Sequence, residues 1–280
     1  MELVFGHVSH NIFAGSERMQ SPHTGIRMCL PLFAATIGTM TTPAERASAV
    51  AFAQQSCALE SLTPSSAVIA AAGRYERGDL STDRLLSEGS AESVADKILV
   101  RTILLIERGW PFSGDLQELR AIHQGLFTGV YDDAGTLRTG DTTKGKNARS
   151  SNPEAFFPAG LIETGAANIS RELAEKRNLK CLDRADFVNA LAHIYDELGY
   201  LHPFVGGNAM VLRIFASRLS HDAGWDLDWG KVDAASYKNA KHSAYNGDTS
   251  AFERLFGTII RPANPTRSFL IAGWDQGPAH

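Results

Sequence analysis

The chain has 280 residues, 44% of them hydrophobic and 21% charged, with a formal net charge of −4. A chain of this length can bury about 70–75% of its unfolded surface, and the acidic sum argues against a generally basic nucleic-acid binder. Cys29, Cys57 and Cys181 show no metal-ligand spacing, and their odd number favours a reducing compartment. The apolar stretch 28–40 is too short for a membrane span and is interrupted by Pro31, Thr36 and Thr39, and no basic segment introduces a leader-like one. Disulfide scaffolds, membrane spans and low-complexity chains are excluded.

Residues 1–40 are punctuated by Gly6, Gly15, Gly25 and Gly38 and hold no helical period, which predicts an irregular arm. Thr42-Pro43-Ala44-Glu45 joins an N-cap, a first-turn proline and a glutamate three residues on, so a helix is expected from there to about Glu60. Thr63-Pro64 repeats the signal for a second helix to about Tyr75, stopped near Gly78, and Ser81 opens a short third one around 83–87. A helix over 90–108 carries Val94, Ile98, Leu105 and Ile106 and ends at Gly109 and Pro111. Another, over 115–131, turns Leu116, Leu119, Ile122, Leu126 and Phe127 inward. Residues 137–151 have no helical stripe; Gly140, Lys144, Gly145, Lys146 and Arg149 predict a loop or hairpin projecting into solvent. Helices follow over 153–175, 183–200 (N-cap Asp183), 210–222, 236–245 and 249–260, with an irregular tail from 262. The pattern is all-α.

The informative stretch is Leu201-His202-Pro203-Phe204-Val205-Gly206-Gly207-Asn208-Ala209-Met210-Val211-Leu212-Arg213. It joins two amphipathic helices through a turn of small residues. Unpaired N–H groups at the start of the second helix suit an anion such as a polyphosphate. Arg213, one turn in, can fork onto a phosphate, and a histidine beside such a nest can take a proton from a hydroxyl. The same pattern also fits a plain helix–turn–helix corner with a satisfied histidine and a surface arginine.

This segment resembles the signature of the Fic (Fido) family, His-Pro-Phe-x-Asp/Glu-Gly-Asn-Gly-Arg-x-x-Arg, through His202, Pro203, Phe204, Gly207, Asn208 and Arg213. Residues 121–127 and 130–138 resemble the helix and turn before the family's target-binding flap, Thr142-Thr143-Lys144-Gly145 the flap, and Asp226-Leu227-Asp228-Trp229 the segment after the core helix. The resemblance covers about 95–260 and implies a Fic-type helical core with a small β-hairpin flap. It implies transfer of AMP from ATP, or of another nucleotide group, to a Ser, Thr or Tyr hydroxyl of a target protein. His202 would be the general base. Asn208 and the backbone of Gly207, Ala209 and Met210 would hold the α- and β-phosphates, and Arg213 the outer one. Arg138, Thr142, Thr143 and Lys144 would line up the target as an added strand.

Three positions depart from that signature. Gly206 stands where the family has an acidic Mg²⁺ ligand, which puts the metal in question and leaves no metal-ligating residue to name. Ala209 replaces a glycine of the nest, and Met210 replaces the first arginine. The departures leave open a weak AMP transferase, a different donor or a small-molecule acceptor, and a binding or regulatory module. Ser56-Cys57-Ala58-Leu59-Glu60-Ser61 is similar to the family's inhibitory motif Ser/Thr-x-x-x-Glu-Gly/Asn, and its surroundings resemble the antitoxin partners of bacterial Fic toxins. The resemblance implies that Glu60, with Ser56, reaches Arg213 and holds it off the phosphate; Ser61 departs from the usual Gly/Asn.

The expected organisation is an irregular arm over 1–40, an antitoxin-like helical unit over 41–90, a Fic domain over 91–262 and a tail over 263–280. The setting implied is bacterial and cytoplasmic, or that of a translocated effector, with no nucleic-acid or membrane partner. The oligomeric state is not legible.

Overall fold

The computed structural model of the chain describes residues 42–89, 93–142, 155–263, 269 and 271. The expected 1–40 arm and nearly all of the tail lie outside them, as do Thr143 and Lys144 of the expected flap.

Helix α1 (Pro43–Leu59) begins on a complete capping box, in which Thr42 Oγ1 accepts from Glu45 N at 3.2 Å and Glu45 Oε2 accepts from Thr42 N at 3.1 Å. Helix α2 (Ser66–Arg77) is capped by Ser65, not by the expected Thr63. Ser65 Oγ accepts from Val68 N, while Ser65 N donates to Asp96 Oδ1 at 2.6 Å, a contact across 31 residues that fixes where the helix starts. Helix α3 (Thr82–Gly89) and helix α4 (Val94–Arg108, N-cap Ser93) follow. Helix α5 (Leu116–Phe127), capped by Asp115, stops before the expected Tyr131 because the chain turns at Gly129 with φ +75°. Helix α6 (Ile162–Glu175) starts well after the expected 153, behind Pro158 and a 3₁₀ turn, Ala159–Leu161. Helices α7 (Arg184–Leu201), α8 (Asn208–Asp222), α9 (Ala234–Tyr245) and α10 (Ser250–Ile259) complete the helical set.

The class is therefore mostly helical with one small antiparallel strand pair. That pair is β1 (Trp225–Leu227) with β2 (Ile260–Pro262), Trp225 opposite Pro262 and Leu227 opposite Ile260. It brings the chain after α10 back beside the end of α8, a pairing that short-range pattern does not announce.

Helix α8 is the hub: both Met210 and Leu219, nearly two and a half turns apart, are buried, and so is almost every residue between. Helix α5, helix α7 and β1 pack around it. Helix α1 lies on α4 and on the 3₁₀ turn Trp229–Lys231, where Gln55 Nε2 donates to Val232 O at 2.7 Å. One continuous apolar core runs from Phe52 and Cys57 on α1 to Phe256 on α10. Each fully buried large side chain there stabilises the fold by about 1.5–3 kcal/mol. Cys57 is a buried free thiol, its pKa pushed up to about 12 by that burial.

Inside the α5–α8 interface, Arg218 Nε and Nη2 fork onto Glu118 at 2.8 and 2.5 Å. Glu118 also accepts from Trp110 Nε1, Ser113 N and Gly114 N, so both carboxylate oxygens are filled. This knot pins the far half of α8 and so holds its first turn in place.

Candidate active site

Helix α7 ends on His202 in the left-handed region (φ 45°, ψ 61°), with its N–H on Leu198 O. Left-handed backbone is costly for a residue with a side chain, and Arg138 holds it. Arg138 Nε donates to His202 O at 2.7 Å, Nη2 to Leu201 O at 3.3 Å and to Phe157 O, and Nη1 to Gly140 O at 3.0 Å. A cation on the last carbonyls of a helix also opposes the negative end of its dipole. The Arg138 side chain is 4% exposed. Its guanidinium is a clamp on the α7 terminus, at the start of the segment expected to pair with a target.

The His202 ring stacks on Phe156 at 3.8 Å and 14°. Its pKa falls to about 4, first through burial and then through the charges of Arg138 and Lys241, against the opposing bond to Gly199. The ring is therefore neutral at pH 7, the form that accepts a proton.

The turn 203–208 is held from below. Asn208 Oδ1 accepts from Phe204 N at 3.0 Å and Asn208 Nδ2 donates to Phe204 O at 2.9 Å. The amide expected to grip phosphate is thus spent on the loop's own backbone, and Asn208 shapes the nest instead. Gly207 sits at φ +75°, and a Cβ there would come within 2.3 Å of Phe127, so only glycine fits. Gly206 differs: a Cβ would find nothing nearer than Tyr131 at 3.7 Å. His123 Nδ1 accepts from Gly135 N at 2.8 Å, which leaves Nε2 as the protonated nitrogen, donating to Gly206 O at 3.1 Å. Stacked on Phe204 at 3.9 Å, His123 anchors the turn to α5.

The N–H groups of Gly207, Asn208 and Ala209, at the start of α8, have no partner among the described residues. Those of Met210 and Val211 both donate to Gly207 O, at 3.1 and 3.2 Å. Met210 is 2% exposed and packs into the core. Its side chain therefore faces away from the turn, and its N–H is engaged by Gly207 O in this structure.

Arg213 is wholly buried and held by α1. Its Nη1 reaches Glu60 Oε1 at 2.7 Å, its Nε and Nη2 reach Ser56 Oγ at 3.2 and 3.0 Å, and Nη2 also reaches Ser56 O at 3.1 Å. The Tyr237 ring lies 5.2 Å from its guanidinium carbon. Ser61, after Glu60, takes φ +57°, which accounts for Gly or Asn at that place in the motif it resembles.

These parts surround one cavity of about 250 Å³, lined by His202, the 206–209 backbone and Glu60, and by Tyr195, Asp196, Tyr237 and Lys241 from α7 and α9. The last four escaped the sequence reading. The available signal was the spacing of Tyr237 and Lys241 four apart on an expected helix, which puts them on one face. Tyr195 and Tyr237 join their hydroxyls at 2.6 Å behind the cavity. Thr142 lies nearby in the chain path, its carbonyl accepting from Phe156 N at 3.0 Å, beside the residue that stacks on His202.

The protein groups do not fit a firmly held Mg²⁺. Gly206 has no side-chain oxygen, Glu60 is taken by Arg213, and the described residues contain no cluster of three or more metal-ligating side chains. No helix among the described residues is long and apolar enough to cross a membrane.

A sequence model of the Fic/DOC family matches residues 113–220. The chain is 32% identical over 172 residues to a probable protein adenylyltransferase Fic of Escherichia coli strain K12, covering 61% of this chain and 82% of that protein. It is 34% identical over 161 residues to its namesake from Salmonella typhimurium, covering 58% and 76%. The solved structure of BepC, a VirB-translocated effector from Bartonella tribocorum, superposes with a TM-score of 0.54 at 22% identity, covering 61% of this chain and 86% of that one, and so shares its fold.

Proposed function

Because this chain belongs to the Fic/DOC family, we propose that it transfers a nucleoside monophosphate, AMP by likeness to the adenylyltransferases it matches, to a Ser, Thr or Tyr hydroxyl of a protein, and that α1 restrains it. His202 takes the proton of the attacking hydroxyl. The hydroxyl oxygen bonds to the α-phosphorus of a nucleoside triphosphate, the bond from that phosphorus to the bridging oxygen breaks, and pyrophosphate leaves. The N–H groups of Gly207, Asn208 and Ala209 stabilise the charge on the transferring phosphate. Arg213, once free of Glu60, neutralises the outer phosphate. The segment after Arg138, beginning at Thr142 and running through Thr143 and Lys144, positions the target chain by strand pairing. The helices over 42–89 then serve as a built-in counterpart of an antitoxin.

The observation that carries this reading is the juxtaposition around one cavity of a neutral histidine, an unpaired helix N-terminus and Glu60, which holds the buried Arg213 at 2.7 Å. The test is label transfer from α-labelled ATP to a bacterial lysate and to the protein itself. Glu60→Gly should raise transfer at least about tenfold, the release of one charge-assisted contact, and His202→Ala should abolish it. No transfer from any nucleotide, even by Glu60→Gly, would overturn the reading.

The buried Met210 and the bare Gly206 favour a second reading, a binding module that captures a partner without chemistry. It is separated from the first by partner capture that persists in His202→Ala.

A further inference from the structure

The charge balance of the cavity is unusual once its residues are placed. A triphosphate brings up to four negative charges. No protein carboxylate at position 206 holds a metal against it, the side chain at 210 is buried methionine, and Arg213 is engaged by α1. A further cation faces the cavity, and it comes from outside the signature. Lys241, on α9, lines the same cavity as His202 and Ala209. Its Nζ lies 4.7 Å from the centroid of the Tyr237 ring, the same ring that Arg213 approaches at 5.2 Å. Tyr237 is 1% exposed, and its hydroxyl is fixed on Tyr195, so the ring is a rigid platform for both cations. Arg213 is locked on one side of the site. Lys241 has a flexible four-carbon stem and three donors, which lets it follow a phosphate as a metal ion does.

We infer that Lys241 is the phosphate-neutralising cation of this site, and that the nucleotide is bound without a protein-held metal ion. Lys241 thereby does the work that a carboxylate-held Mg²⁺ and an arginine at 210 would share. The inference rests on the nucleotide reading above and adds to it which residue carries the charge and what form of nucleotide is taken. The second carboxylate lining the cavity besides Glu60, Asp196 on α7, is the competing candidate, since it could recruit a metal in place of position 206.

The experiment is calorimetric titration of the full chain carrying Glu60→Gly with ATP and with adenosine, in Mg²⁺ and in EDTA. Lys241→Ala, Lys241→Arg and Asp196→Asn are added singly to that background, with thermal melts to verify folding. ATP should bind within about threefold equally in Mg²⁺ and EDTA. Lys241→Ala should weaken ATP by about ten- to a hundredfold, the worth of one charge-assisted contact, and leave adenosine unchanged, while Lys241→Arg keeps most of the ATP affinity. Two results would overturn the inference while sparing the nucleotide reading. One is ATP binding that collapses in EDTA and in Asp196→Asn. The other is an ATP-to-adenosine ratio unmoved by Lys241→Ala. Failure of the parent Glu60→Gly chain to bind ATP or adenosine at all would sink both.

Discussion

Helix α8 carries two buried arginines, each paired with a glutamate from another helix, and the two pairs are built for different ends. Arg218 meets Glu118 in the α5–α8 interface, where the carboxylate is 0% exposed and accepts from Arg218, Trp110, Ser113 and Gly114 together. Arg213 meets Glu60, whose side chain is 27% exposed and which caps the C-terminal end of α1, with a single strong contact at 2.7 Å. A carboxylate with every lone pair committed cannot leave without stranding its partner. One with an exposed face at a helix terminus can be exchanged for another anion. The same chemistry gives a rivet in one place and a latch in the other.

That contrast can be broken from either side. Glu118→Ala should cost about 3–5 kcal/mol of stability, because it strips buried Arg218 of its two-pronged partner, leaving it only Asp222 at 3.1 Å, and frees the donors of Trp110, Ser113 and Gly114; urea denaturation measures it. Glu60→Gly should cost only about 1–2 kcal/mol in the same assay, since Ser56 still accepts from Arg213. Equal losses in the two variants would erase the distinction.

The acid limb of stability probes the site from a third direction. The folded pKa of His202 is about 4, below the ordinary 6.5. The unfolded chain therefore binds the extra proton first, and stability contributed by the neutral ring is complete above about pH 6.5 and lost as the pH falls through about 4. His202→Gln should flatten part of that decline, measured as the urea midpoint at pH 7 and pH 4.5. Part of the slope should remain, because burial also lowers His123. The smallest effect is expected at the latch's own hinge. Ser61→Gly should stabilise the fold by about 0.5–1 kcal/mol, by removing the cost of a side chain at φ +57°.

What could be read beforehand follows the range of the interactions. Local signals held: the capping box of α1, Asp183 as an N-cap, and Gly78 and Gly109 as stops. The start of α2 was misplaced because Thr63-Pro64 and Ser65 offer competing caps, and the choice between them is made by Asp96, which is distant in sequence. The family signature located His202 and the turn, and the inhibitory motif put Glu60 beside Arg213 across 153 residues. The resemblance gives Arg138, Asn208 and Met210 places at the target and phosphate sites, but it does not say where their side chains go. Their side chains are committed inward, to the α7 carbonyls, to Phe204 and to the core. Those commitments depend on tertiary neighbours, and no periodicity encodes them. Tyr237 and Lys241 were passed over for the complementary reason: they belong to a helix outside the signature and reach the site only through the packing of α9 on α7 and α10.

One consequence follows from where α1 ends. Glu60 follows the negative end of that helix, and it lines a cavity that the positive start of α8 also lines. Under the proposed restraint, the restraining element carries the charge sign of the nucleotide it would exclude, and it is tethered to the same chain. Its effective concentration is set by covalent connection, at about the millimolar level or above for short tethers, and does not fall when the protein is diluted. On the proposed function, a nucleotide would compete against a rival of constant strength. The occupancy of the site would then be a readout of nucleotide abundance relative to that built-in threshold, independent of how many copies of the protein are present.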